Sequence, residues 1–92
     1  MSDDIIDNSK HHRYELTIDG IVAHVDYERE PGSVILTHTI VPEQLGGRGI
    51  ASRLVQHALD DARRQGRKVI PQCSFVAAFI ERKPQYRDLV QD

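Results

Sequence analysis

The sequence predicts an α+β domain built on a mixed, mostly antiparallel four-stranded sheet with the element order β-β-β-α-β-α. Three observations carry this expectation. Residues 13–41 hold three strand-like runs separated by the turn pairs Asp19-Gly20 and Pro31-Gly32. Residues 50–65 repeat apolar side chains at helical spacing and stop before Gly66. A fourth strand-like run, "RKVIPQCSF", then leads into a second helical pattern.

The elements follow in order. Residues 1–12 are polar and acidic and end in His11 and His12. They are expected to form a flexible tail, with 13–92 as a single domain. With no third ligand in a fixed frame, the two histidines predict solvated side chains and no metal site. "RYELTID" alternates, with Tyr14, Leu16 and Ile18 on one face. Asp19-Gly20 is the preferred pair for a two-residue hairpin turn, so Ile18 should face Ile21, Leu16 should face Ala23, and Tyr14 should face Val25. The second strand spans about residues 21–28. After Pro31-Gly32, "VILTHTIV" is a β-branched third strand that stops at Pro42. A two-residue turn at Pro31-Gly32 would put His38 opposite Val25, on the apolar face.

In the helix over 50–65, the core stripe is Ile50, Leu54, Val55, Ala58, Leu59 and Ala62. Gly66 suits the left-handed position just past a helix end, and Arg63 and Arg64 suit the negative end of its dipole. In "SFVAAFIERKP", Ser74 is the expected N-cap and Pro84 the stop. Phe75 and Phe79, four apart, are expected in the core. "PQYRDLVQD" forms a last turn. The single crossover makes the fourth strand parallel to the third.

Composition bounds the function. The chain has 92 residues, a formal charge of −2, 39% apolar and 28% charged residues, and one cysteine. A chain this short buries only about 60–65% of its unfolded surface. The charge balance suggests neither nucleic acid nor an anionic membrane as a partner. One cysteine excludes an internal disulfide framework and a cysteine-only zinc site. No apolar run approaches a membrane span, and the acidic start "MSDDIID" does not resemble a signal peptide, so a cytoplasmic location is expected.

Three of the six glycines, Gly46, Gly47 and Gly49, stand just ahead of the first helix. A helix start has unpaired N–H groups and a partial positive charge, and glycines let an anion approach them. The segment matches neither the P-loop pattern nor the dinucleotide fingerprint, since it lacks the lysine of one and has Ser52 where the other needs glycine. A flexible connector and an anion cradle both remain open on spacing alone.

"HTIVP" before the loop, "GRGIAS" at the turn and "PQCSFVAAFIE" followed by Pro84-x-Tyr86 occur in order. Together they resemble the Gcn5-related N-acetyltransferase superfamily, and within it the small YjdJ-type branch, over about residues 13–90. The resemblance implies the minimal form of that fold. It also implies an acetyl-CoA-dependent N-acetyltransferase acting on an amine, either a small molecule or a protein lysine. The alternative is a non-catalytic acyl-CoA-binding or regulatory module. Acetyl-CoA would be a co-substrate, with no metal, and the protein a monomer or weak homodimer.

In the superfamily, a Gln or Arg, two residues, Gly, one residue, then Gly or Ala hold the cofactor's pyrophosphate. That frame falls on Gly46, Gly47, Arg48, Gly49, Ile50 and Ala51, with Ser52 adjoining, and Gly46 stands where Gln or Arg is usual. A shifted frame beginning at Gln44 restores the Gln at another offset. The pantetheine arm would pair with the backbone of Ile40 and Val41 like an added strand.

The resemblance also places Cys73 near the acetyl group. It would act as an acyl-accepting nucleophile, or as a group that protonates or orients the departing thiol, or simply as a small apolar strand residue. His38 is either a partly buried, hydrogen-bonded histidine or a general base close to Cys73. Ile40 stands where the family often has an acid, which leaves Glu43 as the nearby carboxylate. Lys83, where the family tends to have histidine, would pair with a cofactor phosphate or a substrate carboxylate, or is only exposed. Tyr86 would cap the thiol pocket or anchor the C-terminal turn.

Overall fold

The structure, a computed structural model, describes residues 4–91. The chain forms β1 (Ile6–Asn8), β2 (Arg13–Ile18), β3 (Ile21–Glu30), β4 (Ser33–Ile40), α1 (Ile50–Arg64), β5 (Lys68–Pro71) and α2 (Ser74–Arg82). Short 3-10 turns cover Ser9–His11, Glu43–Leu45 and Pro84–Leu89. The five strands lie side by side in chain order, antiparallel except for the parallel pair β4–β5. The class and the direction of every expected pairing agree with the sequence reading. The sheet has five strands where four were expected. The additional strand comes from residues 6–8, which lack the alternation that marks a strand. Tail residues 1–3 lie outside the described residues, as does Asp92.

The β2–β3 hairpin has the expected register: Ile18 faces Ile21, Leu16 faces Ala23, and Tyr14 faces Val25. Asp19 and Gly20 both take positive φ, 52° and 77°, as the two-residue turn with the matching twist requires. At the next turn Glu30 faces Ser33, so Pro31-Gly32 is also a two-residue connection.

Both helices pack on one face of the sheet. Leu16, Ala23, Val25, Leu36 and Val69 from the strands meet Leu54, Val55, Leu59 and Val76 from the helices, all without solvent exposure. The six apolar positions of the α1 stripe are all buried. Burial of each large aliphatic side chain contributes about 1.5–3 kcal/mol, and this, more than intrinsic propensity, holds a fifteen-residue helix in place. α2 begins at Ser74 with Cys73 as its N-cap, one residue earlier than expected, and no side chain caps it.

A polar clasp closes the end of the sheet near the C-terminus of α1. Tyr14 donates to Asp61, Tyr27 donates to Asp7, and Arg29 Nη2 reaches Asp7 Oδ2 at 2.8 Å. The Arg29 guanidinium also stands 4.4 Å from the Tyr27 ring centroid. These contacts tie the three-residue β1 to the domain, which its short ladder alone would hold weakly.

Candidate functional site

From Val41 the chain passes through the Glu43–Leu45 turn, where Leu45 is buried and anchors the loop. Gly46 is extended, and Gly47 and Gly49 take φ of 79° and 71°. An L side chain costs about 1–2 kcal/mol in that left-handed region, which is why glycine stands there. A Cβ on Gly46 would come within 3.2 Å of the Glu43 carbonyl oxygen, so the Gln or Arg usual at this frame position would crowd the loop. Gly49 caps α1 without a side-chain bond. The first intrahelical bond runs from Arg53 N to Gly49 O at 3.1 Å, so the amides of Ile50, Ala51 and Ser52 precede it. These residues with Val41 and Phe75 line a cavity of about 260 Å³. Arg48, between the two left-handed glycines, is exposed.

Beside this cradle two strands part. β4 pairs with β5 only from Ser33–Lys68 to Leu36–Pro71. One more bond, Cys73 N to Leu36 O at 2.9 Å, closes the apex. β4 then runs on to Ile40, and among the described residues no strand pairs with residues 37–40 on the β5 side. Ile40 is 47% exposed at the open end.

Cys73 sits at this apex, half-buried, at the start of α2. Its Sγ lies 3.4 Å from Thr39 Oγ1. Burial pushes the thiol pKa up, but the Thr39 hydroxyl and the amides of Val76 and Phe75 outweigh it, and the net shift is downward. No formal capping bond reaches Cys73, so those two amides act as nearby dipoles of a helix start rather than as bonded donors.

His38 is not beside Cys73. β3 and β4 slip register between Asp26 and Tyr27, so that Tyr27 faces Leu36 but Asp26 faces His38, leaving Thr37 as the extra residue of a bulge. The Thr37 hydroxyl donates to the Asp26 carbonyl at 3.3 Å and consolidates it. His38, expected opposite Val25 on the apolar face, is turned to the other face and exposed. Thr39 takes its place opposite Val25, on the side of Cys73. On its own face His38 meets Asp26, whose Oδ1 is 2.6 Å from His24 Nδ1.

The other expected residues divide. Lys83 follows the C-terminal end of α2, about 12 Å along the helix axis from Phe75, and does not line the cradle cavity. Tyr86 is buried and donates to Asp60 Oδ1 at 2.6 Å, so it anchors the last turn to α1. Glu43 is exposed in its 3-10 turn. The sequence reading missed Thr39, Asp26 and His24, because only the bulge decides which face each residue near it takes. Phe75 was assigned to the core, and it is half-buried with one side on the cavity. Among the described residues, no three His, Cys, Asp or Glu side chains are grouped to hold a metal ion, and no helix is long and apolar enough to cross a membrane.

Residues 13–89 match the model of a family described as GCN5-related N-acetyl-transferase. No curated protein matches the chain. Among solved structures, the chain is similar to an NMR structure of a GCN5-like candidate N-acetyltransferase from Staphylococcus aureus. That likeness has a TM-score of 0.75 and 25% identity, over 99% of this chain and 91% of that one.

Proposed function

The chain belongs to the GCN5-related N-acetyltransferase family, and from that premise we propose that it transfers an acetyl group from acetyl-CoA to an amine. The observation that carries this reading is the adjacency of the glycine cradle at the start of α1 and the parted strands β4 and β5.

The residues present fit such a co-substrate. The amides of Ile50, Ala51 and Ser52, with the glycines at 46, 47 and 49, suit a pyrophosphate, since they offer donors and no Cβ in the way. The open edge of β4, which ends at Ile40, and Val41 just beyond it offer backbone groups to an extended amide-bearing arm. When bound, the thioester supplies an activated acetyl group and a thiol leaving group.

Cys73 then acts as proton donor to the departing sulfur. A nucleophilic cysteine needs a base to take its proton. The side-chain contact of the Cys73 thiol is the Thr39 hydroxyl, while His38 faces the other side of the sheet. A thiol with a lowered pKa gives up its proton readily to a more basic thiolate.

Two measurements test the reading. Acetyl-CoA should raise the melting temperature by an amount that grows with its concentration, and free thiol should appear when amines are added. No protection at millimolar acetyl-CoA overturns the assignment. Protection without thiol release, across a broad amine panel, leaves a binding module. An acetyl adduct on Cys73 in intact mass spectra would replace the donor role with a nucleophilic one.

A further inference from the structure

A cavity of about 600 Å³ lies over β3 and β4, bordered by residues 10–12 and 26–29, and opens on the sheet face that Asp26, Glu28 and His38 share. It is a polar groove. Lys10, His11 and His12, in and just after the 3-10 turn at the β2 edge, border one end. Asp26 and Glu28 on β3 and Thr37 and His38 on β4 form its floor, and Gln72 follows β5 at the other end. Gln72 precedes Cys73, and His38 precedes Thr39, whose hydroxyl touches the Cys73 sulfur on the opposite face. β4 thus presents two sides where it parts from β5. The thiol and the cradle lie on one, and the histidine and two carboxylates lie on the other.

Resting on the proposed acetyl transfer, we infer that this groove is the acceptor site and that it takes a primary alkylammonium with no second positive charge at its far end. Asp26 is the group that selects the cation. Its carboxylate is held by His24 at 2.6 Å, so it is oriented rather than free to rotate, and it stands level with the mouth of the gap. His38, its cross-strand neighbour, has a side chain within about 5 Å Cβ to Cβ by sheet geometry. Lys10 at the opposite end repels a second cation and favours a carbonyl or carboxylate there.

Groups of the protein and solvent balance the step. The ammonium gives one proton to the His38 imidazole, which is exposed and passes it to solvent. The amine nitrogen forms a bond to the thioester carbonyl carbon, the C–S bond breaks, and the electron pair leaves on sulfur. The second proton lost from nitrogen goes to solvent, while Cys73 protonates the departing sulfur and is itself reprotonated from solvent. The products are an N-acetylamine, free coenzyme A and one proton.

The test is a binding titration that does not depend on turnover. The protein, labelled for amide NMR and saturated with coenzyme A, is titrated with Nα-acetyl-lysine amide, with n-pentylamine and with 1,5-diaminopentane. The first two should shift the amides of Asp26, Thr37, His38 and Gln72, and the diamine should bind at least several-fold more weakly. Tighter binding of the lysine amide than of pentylamine marks a protein or peptide lysine as the source, and equal binding marks a small free amine. Asp26→Asn should weaken both monoamines at least tenfold. Retention by Asp26→Asn of the wild-type amide spectrum outside the groove shows that the variant is folded.

The inference is overturned if no monoamine shifts the groove amides, if the diamine binds best, or if Asp26→Asn binds as wild type does. Coenzyme A itself should shift the amides of residues 47–52. Failure there would strike the acetyl-transfer reading, and failure in the groove alone would strike only the acceptor assignment.

Discussion

Thr39 Oγ1 lies 3.4 Å from Cys73 Sγ, across the point where β4 and β5 part. The contact exists because the bulge at residues 26–27 turns Thr39, and not His38, toward the helical face. The hydroxyl and the first-turn amides of α2 overcome the burial that would raise the thiol pKa. Thr39→Val should therefore raise that pKa and slow alkylation by iodoacetamide at neutral pH, by less than about tenfold for one lost hydrogen bond at a half-exposed site. The pH profile of the alkylation rate checks this. A profile unchanged from wild type would remove Thr39 from the account.

Gly49 holds the start of α1 at a φ of 71°. Gly49→Ala should cost about 1–2 kcal/mol, which for a domain of this size lowers Tm by about 4–16 °C. Gly49→Asn should cost less, since asparagine tolerates that region. Both should reduce the melting-temperature gain from acetyl-CoA, because the amides that follow lose their alignment. Differential scanning calorimetry with and without the ligand reads both effects.

Alkaline pH should destabilise the fold in a defined window. Burial, reinforced by donation to Asp60, pushes Tyr86 up to about 12, and burial with donation to Asp7 pushes Tyr27 to about 12. Tyr14 is raised as well, by burial and by its bond to Asp61. The unfolded chain loses these protons near pH 10, before the folded chain does. Between pH 10 and 12 the folded state holds more protons, so stability falls as pH rises, and the contribution is intact below 10. Absorbance titration at the phenolate band should show late ionisation in the native protein and ordinary ionisation in urea.

Asp7 accepts from both Tyr27 and Arg29 and fastens β1 to β3. Asp7→Ala should free β1 while leaving the main core folded. Amides of Ile6–Asn8 and their β2 partners should lose hydrogen-exchange protection, and those of α1 should not. Uniform loss of protection across the domain would contradict a local clasp.

The sequence alone determined the hairpin at Asp19-Gly20, the six buried positions of α1, its stop at Gly66 and the parallel return of β5. The first three are local rules of turn chemistry and helical period that act within a few residues, and the last follows from the single helical crossover between β4 and β5. The glycine turn ahead of α1 was legible for the same reason, since positive φ at Gly47 and Gly49 is a backbone demand met by residue type. Only the tertiary structure decided the rest. β1 is a strand because β2 and the Asp7 clasp hold it, not because residues 6–8 prefer to be one. The bulge carries no glycine or other mark in sequence, and it arises from the fit of β3 against β4. Because side chains alternate with a period of two, that one extra residue exchanged the faces of His38 and Thr39. It gave the Cys73 thiol a hydroxyl neighbour and sent the histidine through to the open side of the sheet.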